Sequence, residues 1–264
     1  MINYYNEVFK KTGRTDAGLW SEIRPTSVVA SAAARAIAMA DIYRTELYLL
    51  HLSTPEEFAL VAAAKNRGIK VYGELVGYQL MFNINDYKEY ENKIKVCPAL
   101  RTPEDQEKMW QLVRAGGIDV ICSEHTPHEW KTKNQPDMWK AQAGTPGIQE
   151  TLPALITGWT KHFGKKTIEE GLMRIAEYCS NNPARIFGFN SKGSINIGKD
   201  ADLVILDPDS TWTVAKSDLF SKCGWSAYEG MKLNGRPEKV FLRGELVYNN
   251  GKILGDPKGK WINH

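Results

Sequence analysis

The sequence predicts an α/β fold in which short parallel strands alternate with crossover helices, followed by a small all-β unit. Three observations carry this. Short apolar runs end on polar residues, at ELYLLH (46–51) and IDVICS (118–123). Two β–α–β spacings follow one another directly, the arrangement that parallel strands require. From Lys192 onward, short strand-like runs punctuated by Gly and Asn-Gly turns replace this pattern. Residues 1–190 are therefore expected to form one α/β portion and 191–264 a β portion.

Residues 1–24 show no strong periodicity, and Gly13 and Gly18 suggest loop. Pro25 suits the first turn of a helix. The Ala-rich stretch 27–43 has apolar residues at helical spacing. Residues 46–51 read as a strand. A helix over 55–66 opens on Pro55 and ends before Gly68. A β-branched and aromatic strand covers 69–76, and 77–100 is a long polar and aromatic connection. The next helix, 103–116, is opened by Thr102-Pro-Glu-Asp and closed by Gly116-Gly117. Residues 118–122 form a third buried strand, and 125–147 a Gly/Pro-containing loop. Helices are expected over 152–163 and 167–187, then strands over 201–206, 239–242 and 245–248, with a turn at Asn250-Gly251.

Composition narrows the function classes. With 264 residues, 42% hydrophobic and 25% charged, the chain is long enough for a sizeable core. A net charge of +3, from 34 basic and 31 acidic residues, lacks the clustered excess of a nucleic-acid surface. Lys131–Lys133 reads as a solvated loop. The cysteines at 97, 122, 179 and 223 form no CxxC motif and suit free thiols in a cytosolic protein. The polar and aromatic N-terminus is unlike a signal peptide, and no run of about 18 apolar residues suggests a membrane span.

The polar residues at the strand ends are the candidate site. His51 closes one apolar run and Glu124 follows another. In α/β barrels such positions converge at the mouth, and imidazole nitrogen and carboxylate oxygen both suit a zinc-like ion. A hydrogen-bonded His near a helix start and a helix-entry Glu fit the same positions. His125 and His128 do not complete a helical HExxH site, because Pro127 lies inside the spacing.

Eight motifs in order carry a family resemblance: IRP (23–25), LLHLST (49–54), CPALRTPED (97–105), SEHTPH (123–128), GTPGIQETLP (144–153), NPARIFG (182–188), KGSINIGKDADLVILD (192–207) and SKCGWSAYEG (221–230). The sequence resembles the C-terminal portion of the cyclic amidohydrolases, the dihydroorotase, allantoinase and hydantoinase group of the amidohydrolase superfamily. The resemblance implies part of a metal-dependent-hydrolase (β/α)8 barrel, about its last three strands and their helices, and part of a small β-sandwich. It implies two divalent ions, commonly zinc, that activate a bridging water and polarise a ring amide, with a strand-eight carboxylate moving the proton.

Carried over by motif, His51 matches a metal-binding His, and Glu124 stands where the family has Asp, as metal ligand and proton carrier. Glu keeps the charge but extends the carboxylate by one methylene. His128 resembles the residue that holds the carboxylate of dihydroorotate, and Cys97 resembles the allantoinase pattern. Gly144 and Gly147 would line the substrate ring through backbone groups. The family's HxH pair, bridging carbamylated Lys and strand-five His find no match here; the segment before IRP reads GLWSE. The expected chemistry is cyclic amide hydrolysis, dihydroorotase-like first, with an allantoinase- or hydantoinase-like substrate close behind. The alternative is a catalytically inactive truncated or scaffold homologue that lacks the N-terminal metal ligands. Expected partners are a small cyclic amide or ureide and either a second copy of the chain or a complementing N-terminal half, in the cytoplasm.

Overall fold

A computed structural model describes residues 1–262. In chain order the elements are α1 (Ile2–Lys10), α2 (Leu19–Glu22), α3 (Thr26–Tyr43), β1 (Leu47–Leu52), α4 (Pro55–Asn66), β2 (Val71–Val76), α5 (Gly77–Met81), α6 (Tyr87–Tyr90), α7 (Pro103–Ala115), β3 (Val120–Cys122), α8 (Trp130–Lys133), α9 (Thr151–Phe163), α10 (Ile168–Ala176), α11 (Asn182–Ile186), β4 (Leu203–Leu206), β5 (Thr211–Thr213), β6 (Lys232–Asn234), β7 (Pro237–Leu242), β8 (Glu245–Asn249) and β9 (Lys252–Ile253). They group into two compact units. One holds residues 1–151 and 219–229; the other holds 152–218 and 230–264, described to 262.

The first unit is built on a parallel sheet of order β1-β2-β3. Register sets two faces. Tyr48 pairs with Tyr72, Glu74 with Val120 and Val76 with Cys122, so these side chains share one face. Gly73, Leu75 and Ile121 take the other, where α4 packs. Gly73 is required there: a Cβ would come within 2.9 Å of Leu52 and 3.1 Å of Phe58. Asp119 locks this side by accepting from the Gly73 amide at 2.8 Å and from Lys65 at 2.5 Å.

Both long crossover helices start on full capping boxes with Pro in the first turn, Thr54/Glu57 for α4 and Thr102/Asp105 for α7. Gly116 ends α7 in the left-handed conformation expected of a terminating glycine. The α4 cap is buried. Glu57 accepts from the backbone and hydroxyl of both Ser53 and Thr54, and Arg101 donates to Ser53 Oγ at 2.9 and 3.1 Å.

Several expectations need correction. Residues 1–24 are not simply loop: α1 and α2 form there, and Tyr5 and Phe9, four residues apart, pack with Trp20 and Trp139 against Leu19, Ile23 and Met138. The 77–100 connection contains α5, α6 and short 3₁₀ turns. Lys131–Lys133 is not a solvated loop. Lys131 is exposed beside Glu129, but Lys133 ends α8 fully buried.

The second unit joins α9, α10 and α11 to antiparallel strands of order β4-β7-β8-β9 and a separate β5-β6 pair. The expected 167–187 helix is divided by a π turn over Glu177–Asn181, just before Pro183, which has no amide hydrogen to continue the ladder. Strands β5 and β6 were not anticipated, being only three residues each. The Asn250-Gly251 turn links β8 to β9 with both residues left-handed. All four cysteines are unpaired. Among the described residues no helix is long and apolar enough to cross a membrane.

Replacing Thr54 by Ala removes both the cap acceptor and a donor to buried Glu57. We expect a loss of about 1–2 kcal/mol, read as a lower urea midpoint with unchanged slope; an unchanged midpoint would refute the cap's role.

Candidate functional site

The site grows from the polar residues on the face of β1-β2-β3 opposite α4. Glu74, in the middle of a buried strand, is 7% exposed. Its carboxylate accepts from the Tyr48 hydroxyl at 2.8 Å and from the His51 backbone amide at 3.2 Å. Among the described residues no salt bridge reaches Glu74 or Glu124. Burial, then the Glu74 hydrogen bond, pushes the Tyr48 phenol up. Burial, then the charge of Glu74, likewise pushes the Cys122 thiol up.

The sequence-predicted residues His51 and Glu124 share a backbone feature. Both are left-handed, with φ of 43° and 45°. Such a conformation costs a non-glycine residue roughly 1–2 kcal/mol and persists where surrounding contacts impose it. At His51 the pairing register shifts between Leu49 and Leu52, which turns the amide to Glu74. After β3, Thr126 Oγ1 donates to the Glu124 carbonyl at 2.7 Å and fixes the reversal.

Glu74, Cys122 and Glu124 come together. One ligand atom from each lies within 4.8 Å of the others. Cys122 and Glu124 are half-buried, so the cluster meets solvent on one side. Two carboxylates and a thiol suit a divalent cation of intermediate softness. No set of three potential ligands among the described residues includes the His51 imidazole. The structure thus gathers one expected ligand, Glu124, with two residues that sequence reasoning missed. Glu74 gave one unread signal: an acidic residue inside an otherwise apolar strand.

The other predicted residues sit in the loops around this cluster. His128 Nε2 is 3.1 Å from the Ala143 carbonyl, so it carries the hydrogen and donates. His125 does the converse: Nδ1 accepts from the Gly147 and Ile148 amides at 3.2 and 3.3 Å. No helix spans Glu124–His128, in agreement with the rejection of a helical zinc motif. Gly144 has φ of 138°, and a Cβ there would meet Thr126 at 2.7 Å and His128 Nε2 at 3.0 Å. Gly147 is buried with no such crowding. Cys97 is exposed.

Two lysines secure this loop system. Lys133 Nζ donates to the carbonyls of Lys95 at 2.7 Å and Gln142 at 3.1 Å, and Lys95 Nζ donates to those of Met138 at 2.6 Å and Ala141. Burial lowers Lys133 to about 7, with Lys95 adding repulsion, and lowers Lys95 to about 8. The segment Leu219–Glu229 closes the same region. Trp225 Nε1 donates to the His128 carbonyl at 2.8 Å, and Ser226 hydrogen-bonds Glu150, whose carboxyl burial pushes up.

Comparison with known proteins follows from this geometry. The sequence profile described as the Amidohydrolase family matches residues 29–247. The chain is 35% identical over 239 residues to an allantoinase of Rubrobacter xylanophilus, covering 90% of this chain and 52% of that protein. It is 31% identical over 240 residues to a dihydroorotase of Halobacterium salinarum, covering 91% and 54%. The solved L-hydantoinase (dihydropyrimidinase) of Arthrobacter aurescens superposes with a TM-score of 0.91 at 28% identity, over 97% of this chain and 56% of that one. The chain therefore spans about half the length of the curated relatives it matches.

Two outcomes follow from the loops. Gly144→Ala forces a strained φ and a collision with His128; we expect at least about 1 kcal/mol of destabilisation and a shifted His128 imidazole resonance, and a wild-type spectrum would count against the contact. Lys133 binds a proton more weakly folded than unfolded, so the unfolded state holds more protons between about pH 7 and its ordinary 10.5. Stability contributed by this group therefore rises with pH across that window. Lys133→Met should flatten the slope of unfolding free energy against pH there, and an unaltered slope would show that Lys133 does not titrate as described.

Proposed function

The chain belongs to the amidohydrolase family, and from that membership we propose that it takes part in metal-dependent hydrolysis of a ring C–N bond in a cyclic amide or ureide. The observation that carries this reading is the placement of His51 near the carboxyl end of β1 and of Glu124 just past β3, in strands of one parallel sheet. Strand ends of this kind are where α/β hydrolases assemble their chemistry. In this reading residues 1–190 contribute about the last three strands of a (β/α)8 barrel, and 191–264 contribute part of a β-sandwich. The parallel sheet with its covering helices and the likeness to the hydantoinase structure support the first of these. The four-stranded antiparallel sheet supports the second.

Each residue has a defined task. Glu124, as a metal ligand, takes a proton from the attacking water and returns it to the leaving ring nitrogen. His51 supplies a second ligand. Zinc is the ion that best suits imidazole and carboxylate together, and when bound it lowers the pKa of water and polarises the scissile carbonyl. Backbone groups of Gly144 and Gly147 orient the ring, and Cys97 borders it. Glu74 holds the His51 turn through its amide. The HxH pair and bridging Lys of the family are supplied by another polypeptide segment, either a complementing N-terminal half or a second chain. The chemistry belongs to a cytoplasmic enzyme of small metabolites.

A dihydroorotase-like substrate fits the SEHTPH and SKCGWSAYEG motifs. A second reading, an uncharged ring such as hydantoin or allantoin, is favoured by one contact: His128 Nε2 already donates to Ala143. Binding a substrate carboxylate at that nitrogen requires breaking this bond.

Ring opening of dihydroorotate, allantoin and hydantoin by the chain combined with an N-terminal half carrying HxH tests the proposal. We expect zinc-dependent turnover that chelation abolishes and that Glu124→Gln lowers by about 10²-fold or more. Turnover that survives chelation, or an undiminished Glu124→Gln variant, would falsify it.

A further inference from the structure

Glu74 and Cys122 are outside every ligand position that the family pattern brings to this chain, yet they meet Glu124 on the face of the sheet opposite α4. Their placement follows from register. Val76 pairs with Cys122 and Glu74 with Val120, so Glu74 and Cys122 stand diagonally on neighbouring strands with side chains on one face. Glu124, reversed by its left-handed backbone, brings its carboxylate back to within 4.8 Å of both.

Charge makes this arrangement demanding. Two carboxylates lie close together, one of them 7% exposed, with no salt bridge to either among the described residues. Among the described residues, the groups that satisfy Glu74 from outside the cluster are neutral, the Tyr48 hydroxyl and the His51 amide. They use two of its roughly four lone-pair sites, and the Cys122 thiol hydrogen-bonds the same carboxylate, a contact that metal binding replaces. Buried charge of one sign is normally paired or bound to a metal. The partial exposure of Cys122 and Glu124 gives an ion a route in.

We propose that Glu74, Cys122 and Glu124 form a cation site of their own, a thiolate–dicarboxylate set for one divalent ion of intermediate or soft character such as zinc or cadmium. Three protein ligands with an open position match the usual count for a non-structural zinc site. Sulfur separates this site from a calcium or magnesium site, whose ligands are oxygen. Binding forms one metal–sulfur bond as the thiol proton of Cys122 leaves to solvent, so the ion's two charges are opposed by one thiolate and two carboxylates. The proposal shares Glu124 with the hydrolytic reading and needs nothing else from it.

Cadmium alone, titrated into the full chain, is the probe, because its bond to thiolate has a near-ultraviolet charge-transfer band. One equivalent should develop the band. Cys122→Ser should abolish it, while Cys179→Ser and Cys223→Ser keep it. Glu124→Gln, at a half-buried strand end, should weaken cadmium binding by at least about tenfold with folding verified by circular dichroism. A band that persists in Cys122→Ser, or cadmium affinity unchanged in Glu124→Gln, overturns the site. An intact band in a preparation that shows no ring-opening activity even when combined with an N-terminal half carrying HxH removes the hydrolytic reading alone, and activity of that combination without a band removes this one alone.

Discussion

A carboxylate inside a sheet must be satisfied before anything else can be built around it. Leaving a carboxylate buried without partners costs several kcal/mol, and Glu74 avoids that cost through hydrogen bonds. Its partners account for much of the local architecture. Tyr48 sits one strand away with its hydroxyl on Oε2, and β1 gives up regular pairing so that the His51 amide reaches Oε1. The left-handed backbone of His51 is the local cost of that contact. The same carboxylate faces Cys122 and Glu124, so it also sets the charge environment in which they act.

Around this cluster the histidines and lysines behave as fasteners. His125 accepts backbone amides from the Gly147 turn, and His128 donates to Ala143. Lys95 and Lys133 cap carbonyls across the same loops. Polar side chains spent on backbone groups satisfy loops that run close to a buried region. They also place Gly144 where only glycine fits. The chain shares its family with proteins named as an allantoinase and a dihydroorotase, and in general one scaffold hosts differing functions through the loops it positions.

Much of the first unit was legible in the sequence. The strands β1, β2 and β3 and helices α4 and α7 are announced by apolar runs, Thr-Pro starts and terminal glycines, signals that act locally. The positions of His51 near the end of β1 and of Glu124 just after β3 were readable for the same reason. What escaped depends on contacts distant in sequence. Helix α1 is held by Tyr5 and Phe9 packing on a cluster that includes Met138, and no local pattern reports that. Lys133 reads as solvated because charge is normally exposed, yet carbonyls at 95 and 142 bury it. Glu74 and Cys122 lie in separate strands, and only parallel register makes them neighbours.

Anomalous diffraction at the zinc edge, from crystals of the full chain grown with zinc, tests the central claim that Glu74 organises a cation-binding cluster at the strand ends. The account predicts a peak about 2.0–2.3 Å from oxygens of Glu74 and Glu124 and the sulfur of Cys122. A peak at the His51 imidazole with none among these three residues, or no peak at either place, would contradict it.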